Sequence, residues 1–139
     1  MYKFIAFLVV FISLSGCANQ KYGDFTKDTE GTIAQQVVDD AVKRLTSSYP
    51  AGKTIFRLDN TTTKEAGEKL ELVLRDAGFG VSYEEGIPLN YIFDNYSEDK
   101  KSDQYRLTLI VDTVEFSRIY FFNRKQNELL TSSWTVVER

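Results

Sequence analysis

Residues 105–111 read Tyr105-Arg106-Leu107-Thr108-Leu109-Ile110-Val111 and carry the strongest β-strand signal in the chain. Apolar side chains alternate with polar ones over its first five residues, which is typical of a strand with one buried face. Two more strand-like runs follow at 116–122 and 128–137, on either side of the polar loop 123–127. Successive strands with short polar connections predict an antiparallel meander in the last third of the chain.

Two amphipathic helices are predicted upstream of the meander. Residues 32–35, Thr-Ile-Ala-Gln, fit a capping box, and apolar residues then recur every three or four positions as far as Tyr49. This helix should end near Ser48, because Pro50 disfavours the helical conformation at the residue before it. A second capping box at 62–65 opens another helix, which Gly78 should close in a left-handed conformation.

The polar face of the first helix carries charges at i,i+4 spacing. We expect Asp39 to pair with Lys43 and Asp40 with Arg44 on the helix surface.

The order of these elements predicts the fold class. Further short strands are expected at 53–58, 79–83 and 90–95. Helix, strand, helix and then five short strands indicate an α+β fold, with two helices packed on small antiparallel or mixed sheets. The length favours a single α+β domain at residues 31–139.

The N-terminus resembles a bacterial lipoprotein export signal. A charge at Lys3 precedes an apolar run and then Leu14-Ser15-Gly16-Cys17. The run is too short for a membrane span of about 20 residues. We therefore expect cleavage between Gly16 and Cys17, removal of the signal peptide 1–16, and a diacylglycerol and an N-acyl chain on Cys17. No other cofactor is expected.

Two other readings of the N-terminus remain open. Ser13, Ser15 and Ala18 give a loose version of an ordinary signal-peptidase site, and an uncleaved anchor is the second alternative. Ala18 in place of an aspartate favours the outer membrane, by analogy with enterobacterial sorting. Residues 17–30 are then the lipidated N-terminus and a flexible tether, in which Tyr22 and Phe25 are either incidental or anchor the segment in a partner.

Composition narrows the functional classes. The chain has no histidine and one cysteine, and 17 basic residues stand against 20 acidic ones. The missing histidine removes the commonest general base and metal ligand. The acidic balance, without a basic stripe, argues against nucleic acid. Residues 94–103 are rich in aspartate and glutamate but lack the regular spacing of a calcium loop, so no metal site is predicted.

Aromatic residues are more numerous than a core of this size needs. The chain has 10 Phe, 8 Tyr and 1 Trp, and only four of them lie in the signal. In Tyr120-Phe121-Phe122, neighbouring side chains should point to opposite faces of the sheet. The surplus predicts an interface that includes these three residues, with Tyr22 and Phe25. The alternative is a sheet covered on both faces within the domain.

Several motifs together resemble the TrbH-type conjugal transfer lipoproteins. They are the lipobox, the segments 49–54 (Tyr-Pro-Ala-Gly-Lys-Thr), 72–81 (with Gly78-Phe79), 86–91, 105–109 and 116–120 (Phe-Ser-Arg-x-Tyr), and a late Trp134. The resemblance implies a subunit of the outer-membrane core complex of a type IV secretion system. It further implies channel-forming partner proteins and a domain similar to secretin N-terminal ring domains. Residues 112–115 replace a glycine-containing turn of the family.

The sequence thus predicts a non-enzymatic outer-membrane lipoprotein facing the periplasm. We expect it to act by lipid anchoring and by assembly with channel proteins, or in a homo-oligomeric ring, with no small-molecule substrate. The alternative is a monomeric periplasmic lipoprotein that binds a ligand or a cell-wall polymer. A hydrolase is disfavoured, because no nucleophile and base occur at a recognisable spacing.

Overall fold

A computed structural model describes residues 21–26, 29, 31–59, 65–96 and 103–139 of the chain. The two helices are α1 (Gly31–Ser48) and α2 (Glu65–Asp76), and a 3₁₀ turn lies at Ala51–Lys53. The strands are β1 (Gly23–Asp24), β2 (Ile55–Leu58), β3 (Gly80–Ser82), β4 (Ile87–Asn95), β5 (Gln104–Val111), β6 (Val114–Asn123), β7 (Glu128–Thr131) and β8 (Thr135–Glu138).

Within the described ranges the strands form one mixed sheet of eight strands, six of them in the order β3-β2-β4-β5-β6-β7. β2 is parallel to both β3 and β4, whereas β4, β5, β6 and β7 are antiparallel to their neighbours. β1 pairs with β4 beyond the end of β2, and β8 pairs with β6 beyond the end of β7. The predicted α+β class and the antiparallel meander are confirmed. The further similarity to secretin ring domains stays a prediction.

Both helices pack on the same face of the sheet. The apolar stripe of α1 and one side of α2 meet the alternate residues of β2, β4, β5 and β6, and these form one continuous core. The largest fully buried side chains include Phe56, Leu74, Phe93, Leu109 and Tyr120. Burial of these side chains is the main stabilising contribution, at about 1.5–3 kcal/mol for each one.

The end of α2 has the hydrogen bonds of a Schellman motif. Phe79 N–H donates to the Leu74 carbonyl and Gly78 N–H donates to the Arg75 carbonyl. Gly78 has φ +92°, which only glycine adopts without strain. The predicted left-handed end of this helix is therefore confirmed.

The two capping boxes were predicted to lie at the starts of α1 and α2. α1 begins at Gly31, one residue before the predicted cap Thr32, and the Gln35 side chain donates to Asp39 instead of the helix start. Residues 62–64 of the second capping box lie outside the described residues.

The turn between β5 and β6 takes two residues, Asp112 and Thr113. Asp112 adopts φ +53°, and its N–H donates to the Pro88 carbonyl. Aspartate tolerates this left-handed conformation better than most residues. The hairpin therefore forms without the glycine that the family resemblance would place here.

The predicted tether is shorter than the sequence indicated. Gly23 and Asp24 pair with Ile92 and Phe93 of β4, and Phe25 N–H donates to the Phe93 carbonyl. The prediction of a flexible segment through residue 30 is wrong for residues 23–25. Backbone hydrogen bonds to a long central strand hold them in the sheet.

Candidate functional site

The predicted aromatic interface on β6 divides between the two faces of the sheet. The Tyr120 side chain is 0% exposed beneath α1, so its assignment to an interface is wrong. Phe122 lies on the same face, half-buried against the core. Phe121 points the other way and is 41% exposed. Of the three, only Phe121 offers a ring to a partner.

Tyr22 and Phe25 lie on either side of β1. Tyr22 is half-buried, with the Lys21 ammonium 5.2 Å from its ring centroid, and Phe25 is 43% exposed. They are close in sequence to the predicted cleavage and lipidation site, Gly16 and Cys17, but those two residues lie outside the described residues. Their role in an interface stays a prediction.

The sheet face opposite the helices, here the open face, carries a row of apolar side chains. The alternation of β4 to β8 places seven largely apolar residues there: Ile92, Thr108, Ile110, Ile119, Phe121, Leu130 and Val137. Phe121, Leu130 and Val137 are among the exposed large apolar residues. The ion pairs Asp94–Arg106 and Glu115–Arg139 bridge strands on the same face. Because these four charges are paired, the part of the open face around them is suited to contact with another protein.

Arg118 is the centre of a polar network on the helix face. Its Nη1 donates to both carboxylate oxygens of Asp40 on α1, at 2.9 and 2.8 Å, and its Nε donates to the Ser132 carbonyl at 2.6 Å. Its Nη2 donates to the Thr131 hydroxyl at 2.7 Å, and the guanidinium stacks 5.4 Å from the ring centroid of Trp134. This network joins α1 to the outer edge of the sheet.

Tyr120 completes that network from the core side. Its hydroxyl donates to the Asp40 carboxylate at 2.8 Å. Burial, and then the hydrogen bond to Asp40, raise the pKa of Tyr120. The ring therefore keeps its proton and remains a donor at physiological pH. The expected Asp40–Arg44 pair is not formed, because Asp40 binds Arg118 and Arg44 stacks on Phe116.

The network surrounds a one-residue bulge between β7 and β8. Tyr120 pairs with Thr131 and Ser117 pairs with Thr135, so three steps along β6 correspond to four along the edge. At the bulge the Ile119 N–H donates to the Ser132 hydroxyl, at 3.0 Å. The Ser132 carbonyl is thereby left to accept from Arg118. The two side chains satisfy the groups that the bulge removes from the ladder.

A polar cavity of about 180 Å³ lies beside β2 and the first half of β4, away from the bulge. Arg57, Asp59, Tyr83, Pro88 and Asn90 contribute to its lining. The Tyr83 hydroxyl donates to Glu71 outside this lining, and that hydrogen bond raises the pKa of Tyr83. The cavity is smaller than most small-molecule pockets, which span roughly 300–1,000 Å³.

Two smaller clefts lie between the helices and the sheet, each about 10 Å³. Tyr91 lines both, and its hydroxyl is buried without a hydrogen-bond partner among the described residues. Burial raises the pKa of Tyr91. Each cleft has the size of a single water molecule.

The acidic residues of the segment 94–103 are engaged with arginines where they are described. Asp94 binds Arg106, and Asp103 binds Arg124 with a lowered carboxyl pKa caused by the hydrogen bonds from the guanidinium. Within the described ranges no three or more carboxylates or thiols gather as a metal site. Residues 98 and 99 lie outside those ranges.

The Arg118 network was missed by the sequence reasoning, although a signal for it was present. Arg118 lies between Phe116 and Tyr120 on the strand positions that face the core. A charged residue on an apolar face needs a partner. That pattern could have predicted an acidic residue on the covering helix.

Within the described parts of the chain, neither helix has the length and hydropathy of a membrane span. No curated protein and no solved structure matches the chain. The family described as "Conjugal transfer protein TrbH" matches residues 19–139. The chain therefore belongs to the TrbH family of conjugal transfer proteins.

Proposed function

We propose that this chain is an outer-membrane lipoprotein that serves as a structural subunit of a type IV secretion apparatus for conjugal transfer. It acts by lipid anchoring at Cys17 and by protein–protein contact, and it performs no reaction. Family membership supports the transfer role. The export signal at 1–16, with its Leu-Ser-Gly-Cys end, supports the anchor.

One observation carries the assembly role. Both described helices cover the same face of the sheet, and the open face presents apolar side chains beside paired charges. Apolar residues grouped on one exposed face are typical of a protein interface. The open face is thus the surface on which a channel protein or a second copy is expected to pack.

The pairing of β1 limits how far from the membrane an acylated Cys17 would hold the domain. With residues 23–25 bound to the sheet, five residues, 18–22, link Cys17 to the domain. Fully extended, five residues span about 17 Å. The acyl chains would therefore hold the domain close to the lipid surface, and its partners must reach that depth.

Substitution of an open-face aromatic tests the proposal. Phe121→Glu should leave folding intact, because the ring is already partly in water, but should prevent assembly. Leu72→Glu is the matched control, since Leu72 is also an exposed apolar residue but lies on α2. Conjugation frequency and co-purification of other transfer proteins in mild detergent are the measurements.

The expected result is a loss of at least tenfold in both measurements for Phe121→Glu and wild-type values for Leu72→Glu. Cys17→Ser should release the protein from the outer-membrane fraction. Normal membrane retention of Cys17→Ser would refute the anchor. Normal assembly of Phe121→Glu would refute the use of the open face.

A second candidate, a lipoprotein that binds a ligand or cell-wall polymer, is favoured only by the 180 Å³ cavity. Arg57 and Asn90 are the groups that would hold a polar ligand there. Binding of purified peptidoglycan fragments that is lost in Arg57→Ala would support this candidate over the first.

A further inference from the structure

The sheet edges at β3 and at β8 are not equivalent, because the outward carbonyl at the centre of β3 is already occupied. Gly80 N–H donates to the Thr54 carbonyl, so Gly80 and Ser82 face β2 and the backbone of Val81 faces outward. The Val81 carbonyl accepts a hydrogen bond from Arg75 of α2 at 3.2 Å. Only three residues long, β3 offers no free acceptor at its centre.

The β8 edge is open. Arg139 N–H donates to the Thr113 carbonyl at 2.8 Å, which places Thr135, Val137 and Arg139 toward β6. The N–H and C=O groups of Val136 and Glu138 therefore point away from the sheet. Within the described ranges, no residue binds these outward groups.

The centre of β8 lacks a side chain that protects this edge, and its one charged residue, Glu138, lies at the strand end. Natural edge strands usually carry lysine, proline or an inward-pointing charge that prevents pairing with another chain. β8 instead has adjacent valines, Val136 on the helix face and Val137 on the open face, 49% and 47% exposed. Both faces of an added strand would thus meet apolar surface.

The Arg118 network holds this edge in place. Its hydrogen bonds to Ser132 and Thr131 fix the bulge from which β8 starts, and Asp40 ties the same guanidinium to α1. A four-residue edge strand that is fixed at its start is a preformed template for strand addition.

The geometry argues against another copy of this chain as the occupant. A ring built through β8 needs a second free edge, and on β3 the outward Val81 carbonyl is already bound to Arg75. A two-fold pairing of β8 with itself closes at two subunits. Four-residue strands also cover far less than the roughly 800 Å² per partner of a stable interface.

The charges near the edge indicate the chemistry of the partner. Glu138 lies at the end of β8, whereas Arg118 and Arg139 are bound to Asp40 and Glu115. A partner segment is therefore favoured when it carries lysine or arginine opposite Glu138.

We propose that the β8 edge binds, by strand addition, an extended β-branched and basic segment of a different protein. The inference rests on the proposed role as an assembly subunit and names the partner: a segment of another component of the transfer apparatus. The open face and this edge are continuous through Val137, so one partner can engage both.

Proline substitution tests the backbone contact in the full-length protein in cells. Val136→Pro removes one outward N–H and no bond to β6, so the sheet should remain intact. Val136→Thr is the matched control, because it keeps the N–H. We expect Val136→Pro to reach the outer-membrane fraction at wild-type level while co-purification of other transfer proteins and conjugation frequency fall at least tenfold. Val136→Thr should stay within about threefold of wild type.

A charge reversal provides an independent variant. Glu138→Lys leaves every backbone group in place and should also reduce co-purification of other transfer proteins at least tenfold. This variant tests strand addition even if Val136→Pro fails to accumulate. A photo-crosslinking residue at position 136 should join the chain to another transfer protein, and one at position 72 should not.

A wild-type conjugation frequency in both Val136→Pro and Glu138→Lys would overturn strand addition. Crosslinks from position 136 solely to a second copy would overturn the choice of occupant. The proposed function fails separately, if Cys17→Ser and Phe121→Glu assemble normally.

Discussion

Replacing Arg118 with methionine should destabilise the domain by about 3 kcal/mol, because one side chain satisfies three separate elements. Among the described residues, the Asp40 carboxylate would keep only the Tyr120 hydroxyl as a donor, and the Ser132 carbonyl would lose its donor in the bulge. Removing one partner of a buried ion pair costs about 3–5 kcal/mol. The side chains of Arg118 and Asp40 are 18% and 25% exposed, so water reduces that cost to about 2 kcal/mol.

The other contacts bring the expected loss to its full value. The hydrogen bond to Ser132 is worth about 1 kcal/mol, and the stacking on Trp134 about 0.5 kcal/mol. Because contributions within one network are not additive, we take about 3 kcal/mol, slightly less than their sum. For a domain of this size the melting temperature should fall by about 10 °C.

Guanidinium denaturation of the chain from residue 18, followed by circular dichroism, measures this loss. Arg57→Met is the control, since Arg57 is exposed on β2 and forms no ion pair with a described residue. It should change stability by less than about 0.5 kcal/mol. Arg118→Lys keeps the charge but not the forked geometry, and should recover only part of the stability. A loss below about 1 kcal/mol for Arg118→Met, or full recovery by lysine, would refute the reasoning.

Three more predictions concern a turn and two titrating groups. Gly86→Ala should destabilise the domain by about 2 kcal/mol or more, as measured in thermal melts. The reason is that Gly86 has φ +111° and that a Cβ there would lie 2.5 Å from the Ile55 carbonyl oxygen of β2. Gly52→Ala is the control and should be nearly neutral, because a Cβ at Gly52 meets nothing within 4 Å. Hydrogen bonds from Arg124 lower the pKa of Asp103. The pair therefore stabilises the fold above about pH 4, and this contribution is lost as pH falls further. Asp103→Asn should flatten the acid side of a plot of denaturation midpoint against pH. Burial raises the pKa of Tyr120, so its contribution is complete below about pH 10 and lost as pH rises above it; an alkaline limb unchanged in Tyr120→Phe would contradict this.

Local patterns were enough for much of the fold. The period of the apolar residues located α1 and its end at Ser48, and the Gly78-Phe79 pair marked the end of α2. Alternation located β5 and β6, because the side-chain period of a strand is independent of its neighbours. The sequence placed 128–137 in one strand, and the structure divides it at a bulge, since an extra residue in an edge strand leaves the pattern of apolar residues almost unchanged.

Long-range pairing was beyond the reach of these patterns. β1 consists of Gly23 and Asp24, which carry no strand propensity, and it exists because β4 extends past β2 and offers free backbone groups. Asp40 pairs with Arg118, 78 residues away, and not with Arg44 one turn along the helix. Helix spacing predicts only neighbours on the same helix.

The sequence by itself determined the α+β class and membership of a conjugal transfer family, because each depends on short-range periodicity or contiguous motifs. Which aromatic rings are buried, which sheet face is open and which edge is free were decided by the tertiary structure. These features depend on the register and order of the strands. When helices cover only one face of the sheet, neighbouring residues such as Tyr120 and Phe121 differ in burial, the first buried and the second exposed.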